Sequence, residues 1–185
     1  QIILDNGEVL TLGQYLGAGN SAHVFAVKNK PHLAVRIPRG ASPVPEERLK
    51  WAMRMRDFYV RSSEMAKELG IPIIKIVHVS TSLVIVERLS PFETAQDLAE
   101  RLSHQVMLTV NDIEKLQGLG RFLKLLRGKP FLADLTVDQL AWHPARQEWI
   151  AFDWTNVGDT YPASTQTWVP EYELMFSHMW RIFGQ

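Results

Sequence analysis

The chain has 185 residues, 46% of them hydrophobic, and its 20 lysines and arginines are cancelled by 20 aspartates and glutamates. That length suits one domain or two small lobes, and the zero net charge removes the global field that would draw it to nucleic acid or an anionic membrane. With no cysteine, disulfides and cysteine-ligated zinc are excluded; no apolar run approaches the ~20 residues needed to span a bilayer.

The N-terminal Gln1-Ile2-Ile3-Leu4-Asp5 lacks the basic-then-apolar pattern of a secretory leader. Residues 8–37 read as strands, with Leu10, Leu12 and Leu16 leading into Gly17-Ala18-Gly19-Asn20-Ser21-Ala22-His23-Val24. Asn29-Lys30-Pro31 is turn chemistry, and Leu33-Ala34-Val35-Arg36-Ile37 is a further strand. After a loop over 38–45, Leu49, Met53, Phe58, Met65 and Leu69 are spaced for one helical face, as one helix or two, and Gly70 is the stop. Residues 71–79 and 82–87 form a β-hairpin about Ser80-Thr81, and Leu89-Ser90-Pro91 breaks the strand.

The second half is mainly helical. A short helix is expected over 94–104, and Asn111 with Glu114 reads as the capping pair of a longer one carrying Ile113, Leu116, Phe122, Leu123 and Leu126. Gly128-Lys129-Pro130 ends it, a polar segment follows over 156–167, and a last helix starts near Pro170. The architecture is α+β, β-rich first and helical second.

Four features carry chemistry. Gly17-x-Gly19 between strands lets backbone N–H groups approach an anion without Cβ interference. Arg36 offers a cation from the next strand, for which Glu64 is a candidate partner, with Glu47 and Glu68 as rivals. Asp134 is delivered by Phe131-Leu132-Ala133 and followed five residues later by Gln139; the strand Trp149-Ile150-Ala151-Phe152 then ends on Asp153. One acid can orient an attacking hydroxyl while the amide and the second acid hold Mg²⁺ on nucleotide phosphates. The six histidines show no ligand spacing, so zinc is not indicated, and no Gly-x-Ser-x-Gly elbow is present.

In this order the features resemble the protein-kinase signature set. Leu16-Gly17-Ala18-Gly19-Asn20-Ser21-Ala22-His23-Val24 resembles the glycine-rich loop, with Ala22 in place of the third glycine. Ala34-Val35-Arg36-Ile37 resembles the Val-Ala-Ile-Lys strand, with arginine for lysine, and residues 83–87 with Arg88-Leu89 resemble the strand entering the hinge. Asp134 through Gln139 is similar to the catalytic loop, with glutamine for asparagine and without His-Arg; Phe152-Asp153-Trp154-Thr155 is similar to the metal-binding Asp-Phe-Gly. Val169-Pro170-Glu171 resembles Ala-Pro-Glu, and the short remainder, 172–185, is similar in size to the minimal kinases of bacterial type III effectors.

The resemblance implies a bilobal protein-kinase-like fold, with an N-lobe about 1–88, a hinge about 88–92 and a small, truncated helical C-lobe about 93–185. It implies an ATP- and Mg-dependent Ser/Thr protein kinase without a membrane span, cytoplasmic or secreted into a host cell, acting on a protein such as a host chaperone. Gly17, Gly19, Asn20, Ser21, Val24, Arg36, Glu64 and Glu87 would then serve ATP, Asp134 would be catalytic, and Gln139 and Asp153 would hold the metal. Thr160, Tyr161, Ser164, Thr165 and Thr167 are candidate autophosphorylation sites. Two alternatives stay open: a catalytically inactive pseudokinase, suggested by Arg36 and Gln139, and an aminoglycoside- or choline-type phosphotransferase, suggested by Asp153-Trp154.

Overall fold

The computed structural model describes residues 1–4, 6–18, 22–38, 44–80, 82–126, 132–133, 137–153 and 155–156, with backbone only at 45, 48–49, 51–52, 132–133 and 155–156. The chain divides into two compact units, Gln1–Ser63 with Ile74–Leu89, and Glu64–Ile73 with Ser90–Gln185. The described residues are mixed α+β, with three α-helices and a five-stranded antiparallel sheet.

In the first unit, β1 (Ile2–Ile3) and β2 (Val9–Leu10) form a small antiparallel pair, closed by the Leu4 N–H on Glu8 O at 2.8 Å. Strands β3 (Leu12–Ala18), β4 (Ala22–Val27), β5 (Leu33–Pro38), β6 (Ile76–Val79) and β7 (Val84–Glu87) make the main sheet, in the order β3-β4-β5-β7-β6. Leu33-Ala34-Val35 and Val84-Ile85-Val86 are buried at every position, so the central strands are covered on both faces and read as continuous apolar runs. Leu10, Val27, Leu33, Val35, Leu83 and Ile85 form one core cluster, and Ile2, Leu4 and Leu12 pack on it. The N-terminal pair thus supplies core to the sheet, which the sequence reading, beginning at residue 8, leaves out.

Helix α1 (Pro45–Leu69) is a single helix. Proline suits its first position, where the missing N–H would be unpaired anyway. Its end is a Schellman motif: Gly70, at φ +64°, donates to Lys67 O at 3.3 Å, and Ile71 donates back to Ala66 O at 2.8 Å. The expected apolar face is corrected. Met53 and Met65 are exposed, and the buried stripe is Tyr59, Ser62 and Ala66. Ser62 and Ala66, three and seven residues after Tyr59, are small enough to allow close approach, and the flexible methionine side chains lie in water instead. The β6–β7 turn is closed by Ser80, whose N–H donates to Leu83 O at 2.9 Å and whose Oγ accepts from the Ser82 and Leu83 N–H groups.

In the second unit, α2 (Ala95–Ser103) starts at a capping box. Thr94 Oγ1 accepts from Asp97 N–H at 3.0 Å, and the Asp97 carboxylate accepts from Thr94 N–H at 2.8 Å. Helix α3 (Val110–Leu126) uses the same device two residues before the expected Asn111–Glu114 pair: Thr109 and Asp112 make the reciprocal bonds, at 3.2 and 2.9 Å. The frame shift also changes the buried face. Ile113 is exposed, whereas Asp112 and Lys115 are buried and continue into Gly118, Leu119, Phe122, Leu123 and Leu126. Strand β8 (Leu132–Ala133) pairs with β11 (Thr155–Asn156), a single 3-10 turn spans Val137–Gln139, and β9 (Leu140–His143) forms a hairpin with β10 (Glu148–Ala151). The expected terminator Gly128-Lys129-Pro130 and the helix near Pro170 lie outside the described residues.

Candidate functional site

The first unit aligns three of the expected nucleotide residues on one transverse rung of the sheet. Gly17 pairs with Val24, Val24 with Arg36, Arg36 with Val84, and Val84 with Val79. Directly paired residues project to the same face, so Val24 and Arg36 share a side with Ala22, Ala26, Ala34, Val84 and Val86. Arg36, half-buried, is the one charged residue among these positions.

Two register shifts on β3, between Leu12 and Tyr15 and between Tyr15 and Gly17, bring Gly17 opposite Val24. Such bulges increase twist and re-aim the strand. Gly17 itself has φ +153°, a backbone that L side chains rarely adopt, while a Cβ there would meet no atom within 4 Å. Glycine is therefore demanded by the backbone and not by crowding. Gly19, Asn20 and Ser21 lie outside the described residues.

Glu87 faces the other way. Its neighbour Val86 shares the Arg36 face, so Glu87 projects opposite, and its carboxylate accepts the Lys75 N–H at 2.7 Å. The Glu87 N–H donates to Lys75 O at 2.9 Å, and the Arg88 N–H to His32 O at 2.7 Å. The side chain thus holds the sheet edge. Glu47, Glu64 and Glu68 are all exposed on α1, Glu64 and Glu68 falling in the second unit and Arg36 in the first.

In the second unit the β9–β10 hairpin brings Gln139 and Asp153 to one end. Leu140 pairs with Ala151, and the next bond outward is the Phe152 N–H on Gln139 O at 3.1 Å, so Gln139 lies opposite Phe152 and Asp153 follows one residue further along the chain. Both side chains are half-buried. The expected strand end is corrected by two residues, because β10 stops at Ala151 and Asp153 follows in a bend. Asp134 lies outside the described residues; Ala133 before it pairs with Thr155, two residues past Asp153. Among the described residues no group of three His, Asp or Glu side chains could cage a metal. One carboxylate and one amide carbonyl instead fit Mg²⁺, which keeps several waters and takes much of its coordination from substrate phosphates. Gln139 and Asp153 would hold it, and it would neutralise phosphate charge.

No protein-family model and no curated protein matches this chain.

The hairpin is braced by a cluster of charges that gives no local sequence signal. Glu93 Oε1 accepts from Arg101 at 3.0 and 3.2 Å, and its Oε2 pairs with the Lys115 ammonium. Arg101 also reaches Asp112 at 2.8 Å. Burial opposes the Asp112 charge, but the Thr109 hydroxyl and N–H and the Arg101 guanidinium outweigh it and lower its pKa from 3.8 to about 2. The Arg101 pKa is correspondingly raised, chiefly by its bond to Asp112. Lys115 Nζ lies 5.9 Å from the centre of the Trp142 ring, and Lys115 O accepts the Trp149 indole N–H at 2.7 Å. Trp142 and Trp149 pack edge to face at 5.6 Å, opposite each other on the hairpin.

Proposed function

We propose that this protein is an ATP- and Mg-dependent kinase that transfers the γ-phosphate to a Ser or Thr hydroxyl of a protein, host proteins such as chaperones being the candidate acceptors. The observation that carries the reading is the closure of the β9–β10 hairpin, whose backbone brings Gln139 against Phe152, the neighbour of Asp153. The rung of Gly17, Val24 and Arg36 supports it from the other unit, because a phosphate-approaching backbone and a cation then lie on one line of the sheet. In this reading Gly17 and Gly19 shape the phosphate loop and Arg36 holds the α/β-phosphates. Asp134 orients the acceptor hydroxyl. Catalysis is then mostly positioning and charge neutralisation, which is how phosphoryl transfer is generally accelerated.

The test is transfer of γ-labelled phosphate from ATP with Mg²⁺, comparing wild type with Asp134→Ala, on a generic protein substrate and a eukaryotic lysate. Label that appears with wild type and is lost in the variant is the expected result. ATP consumed only with a sugar, choline or aminoglycoside acceptor would replace this reading with a small-molecule phosphotransferase. Intact ATP under every condition would leave a nucleotide-independent binding module.

A further inference from the structure

The segment Phe92-Glu93-Thr94 touches the hairpin at three successive residues. The Phe92 ring packs edge to face on Phe152, the neighbour of Asp153, at 5.2 Å. Glu93 O accepts the Trp142 N–H at 2.9 Å, and Thr94 forms a β-bridge with Ala141, two residues past Gln139. On the opposite flank the Ala151 N–H donates to Pro72 O at 3.1 Å, and Ile73 bridges to Ala151. The Gln139–Asp153 end is therefore gripped from both sides, and the grip at 92–94 is itself tied down by the Glu93 carboxylate on Arg101 of α2 and Lys115 of α3. Glu93 is the node of this arrangement: its backbone holds β9 while its side chain joins two helices.

We propose that Glu93 is a positioning residue, which through Phe92 and Trp142 sets the spacing of Gln139 and Asp153 for a divalent cation carried by a nucleotide. The proposal rests on the phosphoryl-transfer reading and adds to it the residue that fixes the metal-holding geometry. Outer partners of this kind orient ligands they do not replace, and their loss commonly weakens metal affinity by about 10- to 100-fold.

The test titrates Mn²⁺, a paramagnetic stand-in for Mg²⁺, into the full chain with a non-hydrolysable ATP analogue and follows bound metal by electron paramagnetic resonance. Glu93→Gln and Lys115→Met are each expected to raise the Mn²⁺ dissociation constant about 10-fold or more, and Lys115→Arg, which keeps a cation, to recover most of the loss. Leu10→Ala, in the core of the first unit, serves as a stability control that lowers the thermal midpoint without moving Mn²⁺ affinity. Phe92→Ala removes only the ring contact from an exposed position, so it remains informative if Glu93→Gln does not fold, and it is expected to weaken Mn²⁺ by several-fold. Wild-type uptake that neither Glu93→Gln nor Phe92→Ala changes by more than about twofold overturns the proposal alone. No uptake of Mn²⁺ and nucleotide by wild type overturns the proposal together with the reading it rests on.

Discussion

Asp112 keeps its charge where burial alone would remove it, because Thr109 and Arg101 supply the bonds that water no longer can. The consequence for stability has a definite sign. A carboxylate whose folded pKa lies near 2, below its ordinary 3.8, stabilises fully above about pH 4 and loses that contribution as pH falls toward 2. Equilibrium unfolding should show an acid-limb loss on the order of 1 to 2 kcal/mol that is absent in Asp112→Asn. An identical limb in the variant would refute the assignment. At Gly17 the constraint is the backbone and not space, so Gly17→Ala should cost only about 1 kcal/mol in stability. In the proposed kinase reading its larger effect is to weaken a thermal shift produced by ATP; an undiminished shift would remove Gly17 from the proposed nucleotide site.

At the scale of elements, α3 meets the hairpin through a glycine. A Cβ at Gly118 would lie 3.2 Å from Trp142 Cζ3 and 3.4 Å from Trp149 Cδ1. Helix propensity favours Gly118→Ala by about 1 kcal/mol. The ring pair cannot easily yield, however, because Trp149 is buried and anchored to Lys115 O. We expect net destabilisation of about 1 kcal/mol for alanine and more for valine, read as a lower urea midpoint. A higher midpoint for alanine would mean that the tryptophans shift at little cost. In the proposed kinase reading the hairpin would hold the metal: Asp153→Asn is then expected to abolish the Mg²⁺-dependent part of an ATP thermal shift, and retention of that part would exclude Asp153 as the ligand.

Over the whole molecule, equal numbers of acidic and basic residues leave no net charge at pH 7, and among the described residues no helix is long and apolar enough to cross a membrane. Self-association should therefore peak near neutrality. Acidification moves the net charge away from zero, and light scattering at fixed concentration should decrease as it does. Scattering that instead rises steadily would point to an apolar rather than an electrostatic cause.

The sequence by itself determined what local chemistry decides. Gly70 ends α1 because its φ is positive, Ser80 closes the β6–β7 turn with its own side chain, and the strands around Gly17 follow from apolar residues bounded by turn residues. The α+β class was legible for the same reason, whereas strands β1, β8, β9 and β11 were not expected. Only the tertiary structure decided which residues meet. The rung of Gly17, Val24 and Arg36 depends on two bulges that periodicity does not reveal. The buried stripe of α3 begins with Asp112 and Lys115, charges a sequence reading assigns to water, because Arg101 and Glu93 are folded against them. Lys115 finds Glu93 across 22 residues and Trp149 across 34, distances at which counter-charges and register leave no local trace. A buried charge is tolerated only with its partner in place, and that partner is chosen by the fold.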